Sequence, residues 1–348
     1  MLPILNNVLL KPERGQLRLS TTDLEVGVSV WLPGKLRGES ALTVPLKPFA
    51  EYVQNLPSGP VALVLNGGAL LVTATKARAT FQGETAENFP LLPHLDNGNV
   101  ITLSPGSVQQ ALDAVLYAVA TDDTRPELAG VFCHGEDSTL TLAATDSYRL
   151  SESRLPLPVP LATPLSVILP GRAAAEFRRA LDGAAEAELR VGENQVLLVT
   201  PAIHVVSRRV DGTYPDYAQI IPQKQPTTVE IERSALLRAI RAAAVFSGTV
   251  VSRVTFEAGA DRLRISAMTP EVGNTETDLP AEVQGESVTI AFNERFLRDA
   301  LSALPGERIV VGLGTSATPA VFRPVSAGAD AKTSSAPTTL ALVMPIKV

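Results

Sequence analysis

Cysteine is nearly missing from this chain: Cys133 stands alone among 348 residues. One thiol cannot staple a chain to itself, so no internal disulfide framework holds the fold, and such usage fits a reducing compartment, the cytoplasm. Histidine is almost as scarce. His94, His134 and His204 are scattered with no second His or Cys at ligand spacing, which speaks against zinc and leaves surface or turn positions as their ordinary reading. Long apolar runs are absent as well. Although 45% of the residues are hydrophobic, no stretch approaches the roughly 18 residues that a membrane span requires, and no signal peptide precedes Leu2. Positive charge is outweighed, 30 Lys and Arg against 36 Asp and Glu for a net −6. Any polyanionic partner must therefore be met by a local field, not by overall charge.

Catalytic constellations are lacking too. Cys133 ends the apolar run Gly130-Val131-Phe132-Cys133, the setting of a buried structural thiol and not of a nucleophile. Gly312-Leu313-Gly314 and Asn66-Gly67-Gly68 look like phosphate loops in composition only. Neither has the strand-loop-helix context or the Lys-Ser/Thr ending that lets backbone amides cradle phosphate, so both read as hairpin turns. Asp122-Asp123 and Asp146 are accounted for by polar turns and caps. No metal site, cofactor or catalytic group emerges.

What the chain has is repetition. Gln16-Leu17-Arg18-Leu19-Ser20-Thr21-Thr22-Asp23 recurs as Thr139-Leu140-Thr141-Leu142-Ala143-Ala144-Thr145-Asp146 and as Arg262-Leu263-Arg264-Ile265-Ser266-Ala267-Met268-Thr269, with Thr22, Thr145 and Thr269 spaced by 123 and 124 residues. Each copy then carries a short amphipathic helix: 46–56, 171–181 and 293–304. In the third of these Phe296, Leu297, Ala300, Leu301 and Leu304 share one side, opposite Arg295, Arg298 and Asp299; in the first, Phe49, Val53 and Leu56 form the stripe. Copies two and three have a further helix before the repeated strand, over 107–119 and 234–245, with Arg238 and Arg241 facing away from Leu236, Leu237 and Ile240. Runs such as AELRVGENQVLLVT read as hairpins. A period this long exceeds the solenoid range, so each copy is expected to be an α+β domain with its own core.

The first copy is shorter. Its opening aligns with 125–129 of the second, so a strand and helix of about 25 residues are expected to be missing from a domain-sized repeat. Such a domain is expected to expose apolar sheet. The stretch 327–337 reads as a hairpin loop.

Ala144-Thr145-Asp146-Ser147-Tyr148-Arg149-Leu150, Asp211-Gly212-Thr213-Tyr214-Pro215-Asp216-Tyr217 and the terminal Val343-Met344-Pro345-Ile346-Lys347-Val348 resemble, in order, three segments typical of the bacterial DNA polymerase III beta subunit, the replicative sliding clamp. The opening segment and Thr21-Thr22-Asp23-Leu24-Glu25-Val26-Gly27 resemble its first domain, so the resemblance runs the length of the chain. It implies a non-catalytic processivity factor without cofactor: three tandem copies of a DNA-clamp domain, helices on antiparallel sheets, over 1–98, 99–224 and 225–348. Two chains would close head to tail into a dimeric ring around double-stranded DNA, lined by helices. The family's interface joins the first domain of one chain to the third of the other; by position Ile101 and Leu103 would face Val245 and Phe246, with ordinary core as their alternative.

Arg178, Arg179, Arg238, Arg241, Arg295 and Arg298 lie on polar helix faces and would project into the hole, where phosphate attraction carries no sequence information. A solvated surface role is the alternative for each. The family also binds short peptides of the polymerase III alpha subunit, the clamp loader, other polymerases and repair enzymes in a cleft between domains two and three. Carried over by motif, its wall comprises Leu128, Thr145, Tyr148, Arg149, Leu150, Pro215, Ile220, Leu342, Met344 and Pro345. Tyr148 lies where the family varies, and Ile220 and Leu342 are aliphatic substitutions. Two other classes compete: a tandem-domain DNA-processing enzyme, which would need a catalytic cluster, and a peptide-binding scaffold without DNA, against which the arginine-bearing helices stand.

Overall fold

The computed structural model describes residues 2–93, 95, 98–122, 124–248, 253–259, 261–325 and 336–346. His94, Asp123, most of the 327–337 loop, Lys347 and Val348 lie outside the described residues. Copy one supplies β1 (Asn7–Glu13), β2 (Gln16–Thr22), β3 (Val26–Leu32), β4 (Leu42–Pro45), α1 (Leu46–Gln54), β5 (Ala62–Asn66), β6 (Ala69–Ala74), β7 (Ala77–Gln82) and the short β8 (Glu84–Thr85). Copy two runs β9 (Asn99–Leu103), α2 (Pro105–Val115), β10 (Gly130–Glu136), β11 (Thr139–Thr145), β12 (Arg149–Pro156), β13 (Leu165–Pro170), α3 (Gly171–Ala180), β14 (Ala187–Val191), β15 (Gln195–Val199) and β16 (Ile203–Arg208). Copy three runs β17 (Thr227–Glu232), α4 (Arg233–Ala244), β18 (Arg253–Ala258), β19 (Arg262–Thr269), β20 (Gly273–Pro280), β21 (Glu282–Gln284), β22 (Val288–Asn293), α5 (Glu294–Ala303), β23 (Arg308–Leu313), β24 (Ala320–Pro324) and β25 (Thr338–Val343).

The chain divides into two compact units, Met1–Leu103 with Arg179–Arg209, and Ser104–Arg178 with Val210–Val348. The cut runs through the middle repeat because its strands serve two different sheets. In the first unit nine strands follow the order β8-β4-β1-β2-β3-β16-β15-β14-β9, and β5-β6-β7 form a separate sheet. Here β3 of copy one pairs with β16 of copy two, Val26 opposite Ser207. Val8, Leu10, Val44, Phe49, Leu70 and Val72 make a core between α1 and the sheets. Phe49 is buried as the helical stripe predicts, but Val53 is 38% exposed and Tyr52 packs inward in its place. Val53 instead lines an apolar cavity of about 940 Å³ with Leu10, Leu19, Phe49, Val61 and Leu63. Val64 and Leu65 on β5 are exposed, as is Val61 just before it.

In the second unit the large sheet runs β13-β10-β11-β12-β25-β24-β23-β17-β21, and β20-β19-β18-β22 form a four-stranded sheet. The joint repeats the first: β12 of copy two pairs with β25 of copy three, Arg149 opposite Val343. Val26 and Arg149 are equivalent positions, each four residues after its aligned Thr. The core of copy three is centred on Phe256, Phe292 and Phe322, packed against Leu236, Ile240, Leu297 and Leu301 of α4 and α5. The apolar stripe of α5 is thus buried, Phe296 partly. No described helix is long and apolar enough to cross a membrane.

Candidate functional site

The repeated Thr-Asp turn is one local structure used twice. In copy two Thr145 Oγ1 donates to the Arg149 carbonyl at 2.7 Å and accepts from Ser147 N at 3.2 Å. Asp146 Oδ1 accepts from both Tyr148 N and Arg149 N at 3.0 Å. In copy one Thr22 and Asp23 make the same four bonds to Val26 O, Leu24 N, Glu25 N and Val26 N. Ser147 and Leu24 occupy the same left-handed conformation, φ 76° and 78°. Copy three departs because Pro270 stands where the turn needs Asp, and Gly273 takes the positive φ.

All ten residues expected to form the wall belong to the second unit. Leu150 and Leu342 are directly paired across β12 and β25 and cluster with Val321 as a buried floor. Leu128 is buried in an adjoining cluster with Ile168 and Tyr214, and Thr145 is buried under its own turn. Tyr148 and Ile220 are the exposed lips, at 63% and 47%. Pro215, Met344 and Pro345 are half-buried. The tail is tied down by backbone bonds: Met344 N donates to Tyr148 O and Ile346 N to Ala291 O, each at 2.8 Å, and Pro345 bridges to Phe292.

Arg149 sits behind the lip with its side chain only 9% exposed. Its Nε donates to Asp146 Oδ2 at 2.9 Å and its Nη1 to Asp299 Oδ2 at 2.6 Å. The guanidinium lies over the Phe296 ring at 4.8 Å and the Tyr117 ring at 5.4 Å, and Tyr148 stacks on Phe296. Burial pushes the Tyr117 hydroxyl up, so it stays neutral. On the other flank Tyr217 donates its hydroxyl to buried Glu152 at 2.7 Å, which also accepts from Arg154. This pins the 217–220 turn that presents Ile220. Tyr117, Glu152, Tyr217, Phe296 and Asp299 are absent from the sequence-derived wall. Tyr217 lies within a quoted motif and Glu152 two residues beyond another; Tyr117, Phe296 and Asp299 come from distant segments with no motif to mark them.

Among the arginines, Arg238 and Arg241 of α4 and Arg295 of α5 are exposed. Among the described residues Arg241 and Arg295 have no ion pair, and Arg238 has only a long one to Glu232 at 3.9 Å. Arg298 is half-buried and paired with Glu294 at 2.8 Å, and Arg178 is held by both carboxylate oxygens of Asp113. Their charge is partly neutralised. Arg179 is exposed and belongs to the first unit.

For the predicted interface the structure corrects half of the assignment. Ile101 and Leu103 lie on β9, paired with β14 and only 2% and 4% exposed, so they are core of their own chain and offer no side chain to a partner. Strand alternation turns Val100 and Thr102 outward instead. Val245 is 65% exposed and Phe246 half-buried beside it, at the end of α4.

The residues set aside from chemistry have ordinary surroundings. Burial pushes the Cys133 thiol up to about 12. His204 packs on Trp31, and Asp122 accepts from Thr124 N as a turn cap. Among the described residues no three His, Cys, Asp or Glu gather in a metal-binding group. The copy-one turn, with Leu24 and Glu25, borders a cavity of about 390 Å³ that also involves Pro90, Leu91 and Val206.

Comparison with known proteins follows the same threefold division. The family models of the DNA polymerase III beta subunit match in order, the N-terminal domain over 1–93, the central domain over 102–216 and the C-terminal domain over 218–338. A beta sliding clamp of Synechocystis is 30% identical, covering 93% of this chain and 89% of that protein. The DNA polymerase III beta subunit of Thermotoga maritima superposes with a TM-score of 0.91 at 25% identity, covering 100% of this chain and 93% of that one. The DNA polymerase sliding clamp of Bacillus subtilis gives 0.90 at 25% identity with the same coverage.

Proposed function

Because the chain belongs to the DNA polymerase III beta subunit family, the beta sliding clamps, we propose that two copies close head to tail through β20 of one and β7 of the other. It is a DNA-encircling clamp that confers processivity on DNA polymerase III and catalyses nothing itself. Its three clamp domains are taken as 1–98, 99–224 and 225–348.

The observation that carries closure is the unfinished pairing rule. The strand that follows the repeated Thr turn pairs each time with the end of the next copy's closing three-strand run: β3 of copy one with β16 of copy two, and β12 of copy two with β25 of copy three. The corresponding strand of copy three, β20, and the end of the β5-β6-β7 run of copy one, β7, are both sheet edges. Pairing them between two protomers repeats the joint and removes both edges. Val196 pairs with Ser207, and the equally buried Leu70 pairs with Phe81, so Phe81 takes the place that Ser207 holds opposite Val26. Phe81 then stands opposite Gly273, Arg78 opposite Glu276, and Lys76 opposite Asp278. The faces agree: exposed Arg78 and Thr80 meet exposed Glu276 and Asn274, while Ala77 and Ala79 meet Thr277 and Thr275. Val245 and Phe246 are exposed or half-exposed in the same domain as β20 and belong to this interface.

Arg238, Arg241 and Arg295 then face DNA, with Arg178, Arg179 and Arg298 weaker contributors. Attraction to phosphate orients the duplex without holding one sequence, and retention comes from the closed ring. In the cytoplasm, peptides of the alpha subunit, the clamp loader and other DNA polymerases and repair enzymes would seat an apolar side chain between Tyr148, Ile220 and Met344. Met344 suits varied ligands because a thioether repacks readily. On nicked circular DNA, after loading by its clamp loader, the protein is expected to stay bound in high salt and to escape once the DNA is linearised. Equal loss from both forms would refute encirclement.

A further inference from the structure

We propose that Asp299, which lies on α5 and not in the pocket wall, is a positioning residue for the peptide pocket, and that through it pocket occupancy and the DNA-facing helix are energetically linked. The inference rests on the pocket and DNA-facing assignments above. Arg149 is enclosed by two carboxylates and two rings, and the carboxylates come from different places: Asp146 from its own turn, Asp299 from a residue 150 positions away. The Arg149 side chain is 9% exposed and that of Asp299 34%, so loss of the Asp299 carboxylate takes a charge-assisted bond from a largely desolvated guanidinium.

Arg149 also closes the turn through its own backbone. Its carbonyl takes the bond from Thr145 Oγ1, and the preceding carbonyl, Tyr148 O, holds Met344 N. The position of the guanidinium therefore sets both the exposed lip and the tail. On the other side, Asp299 stands one helical turn after Arg295 and next to Arg298. A second tie reaches the same helix. Ile346 N binds Ala291 O and Pro345 bridges to Phe292, in the strand that runs directly into α5 at its Asn293 cap. A peptide that moves the lip or tail thus works against α5, and a phosphate backbone that draws on Arg295 works against the lip. Such linkage is reciprocal by thermodynamic necessity.

The test measures binding of a fluorescent peptide, copied from the clamp-binding segment of the same organism's polymerase III alpha subunit, to the full-length protein. It compares the free clamp with the clamp loaded on nicked circular DNA. For the unaltered protein the two affinities are expected to differ by roughly fivefold or more, the low end of coupling between linked sites. Asp299→Asn is expected to weaken peptide binding to the free clamp and abolish the DNA-dependent difference, with oligomeric state and melting temperature checked on the same sample. Asp299→Glu, which keeps the charge, is expected to restore both. Equal affinity with and without DNA in the unaltered protein would overturn the linkage, and so would an Asp299→Asn protein that keeps the difference or an Asp299→Glu protein that restores nothing. Absence of any peptide binding by the unaltered protein would instead overturn the pocket on which the proposal stands.

Discussion

Replacing Thr145 by Val removes a hydroxyl that both donates to Arg149 O and accepts from Ser147 N in a buried turn. The loss is expected to cost about 1–3 kcal/mol of unfolding free energy, the usual penalty for stranding buried polar groups. It should also weaken peptide binding, because the turn carries Tyr148. Thr22→Val is the control: the same two bonds are lost from copy one, so urea denaturation should register a similar cost while peptide titration stays unchanged. Thr145 was legible as a motif residue, and its turn could be read from Thr-Asp spacing alone. Arg149 was legible too, but its partner Asp299 was not. A contact between residues 150 apart leaves no mark in local periodicity, and the amphipathic reading could only place Asp299 on the polar side of its helix.

Helices α1 to α5 fall within a few residues of their predicted spans because a buried stripe at helical spacing is a strong signal. Their ends are less evenly built. α5 has a side-chain cap, Asn293 Oδ1 accepting from Arg295 N at 2.9 Å, whereas α1, α2 and α4 start without one. Asn293→Ala should therefore lower stability by about 1 kcal/mol in denaturant titration. Ser104→Ala at the start of α2, where no cap bond exists, should leave it unchanged. The one stripe that failed, Val53 on α1, shows the limit of the method. Periodicity says which side chains can share a face, and only the neighbouring sheet decides how much of that face is covered.

On the β20–β7 pairing proposed above, closure of two chains would turn on edge strands and their charges. Arg78→Glu should convert the dimer to monomer in sedimentation, Glu276→Arg alone should do likewise, and the double substitution should recover the dimer by reversing the pair. Failure of the double variant to recover would reject the register while leaving the ring itself open to the salt-retention test. A hydrogen bond from Arg264 holds the Asp278 carboxyl below the usual carboxylate range. A depressed carboxylate stays charged through mild acid, so its share of the seam is present at neutral pH and is lost only as pH falls through that lowered value.

The triplicate register, the α+β class of each copy, the helices and the Thr-Asp turn all follow from the order of residues along the chain. They do so because periodicity, turn chemistry and repeat spacing are local properties that survive without coordinates. Which strands join across copies is a different matter. Nothing local distinguishes Ile101, buried at 2%, from Val100 beside it at 56%, until β9 is paired with β14 and the sheet has an inside. Likewise the buried charge of Arg149 acquires its second carboxylate only when α5 is laid against the turn. Strand partners, edges and buried ion pairs are long-range choices, set by what the whole fold brings together, and the tertiary structure alone decided them.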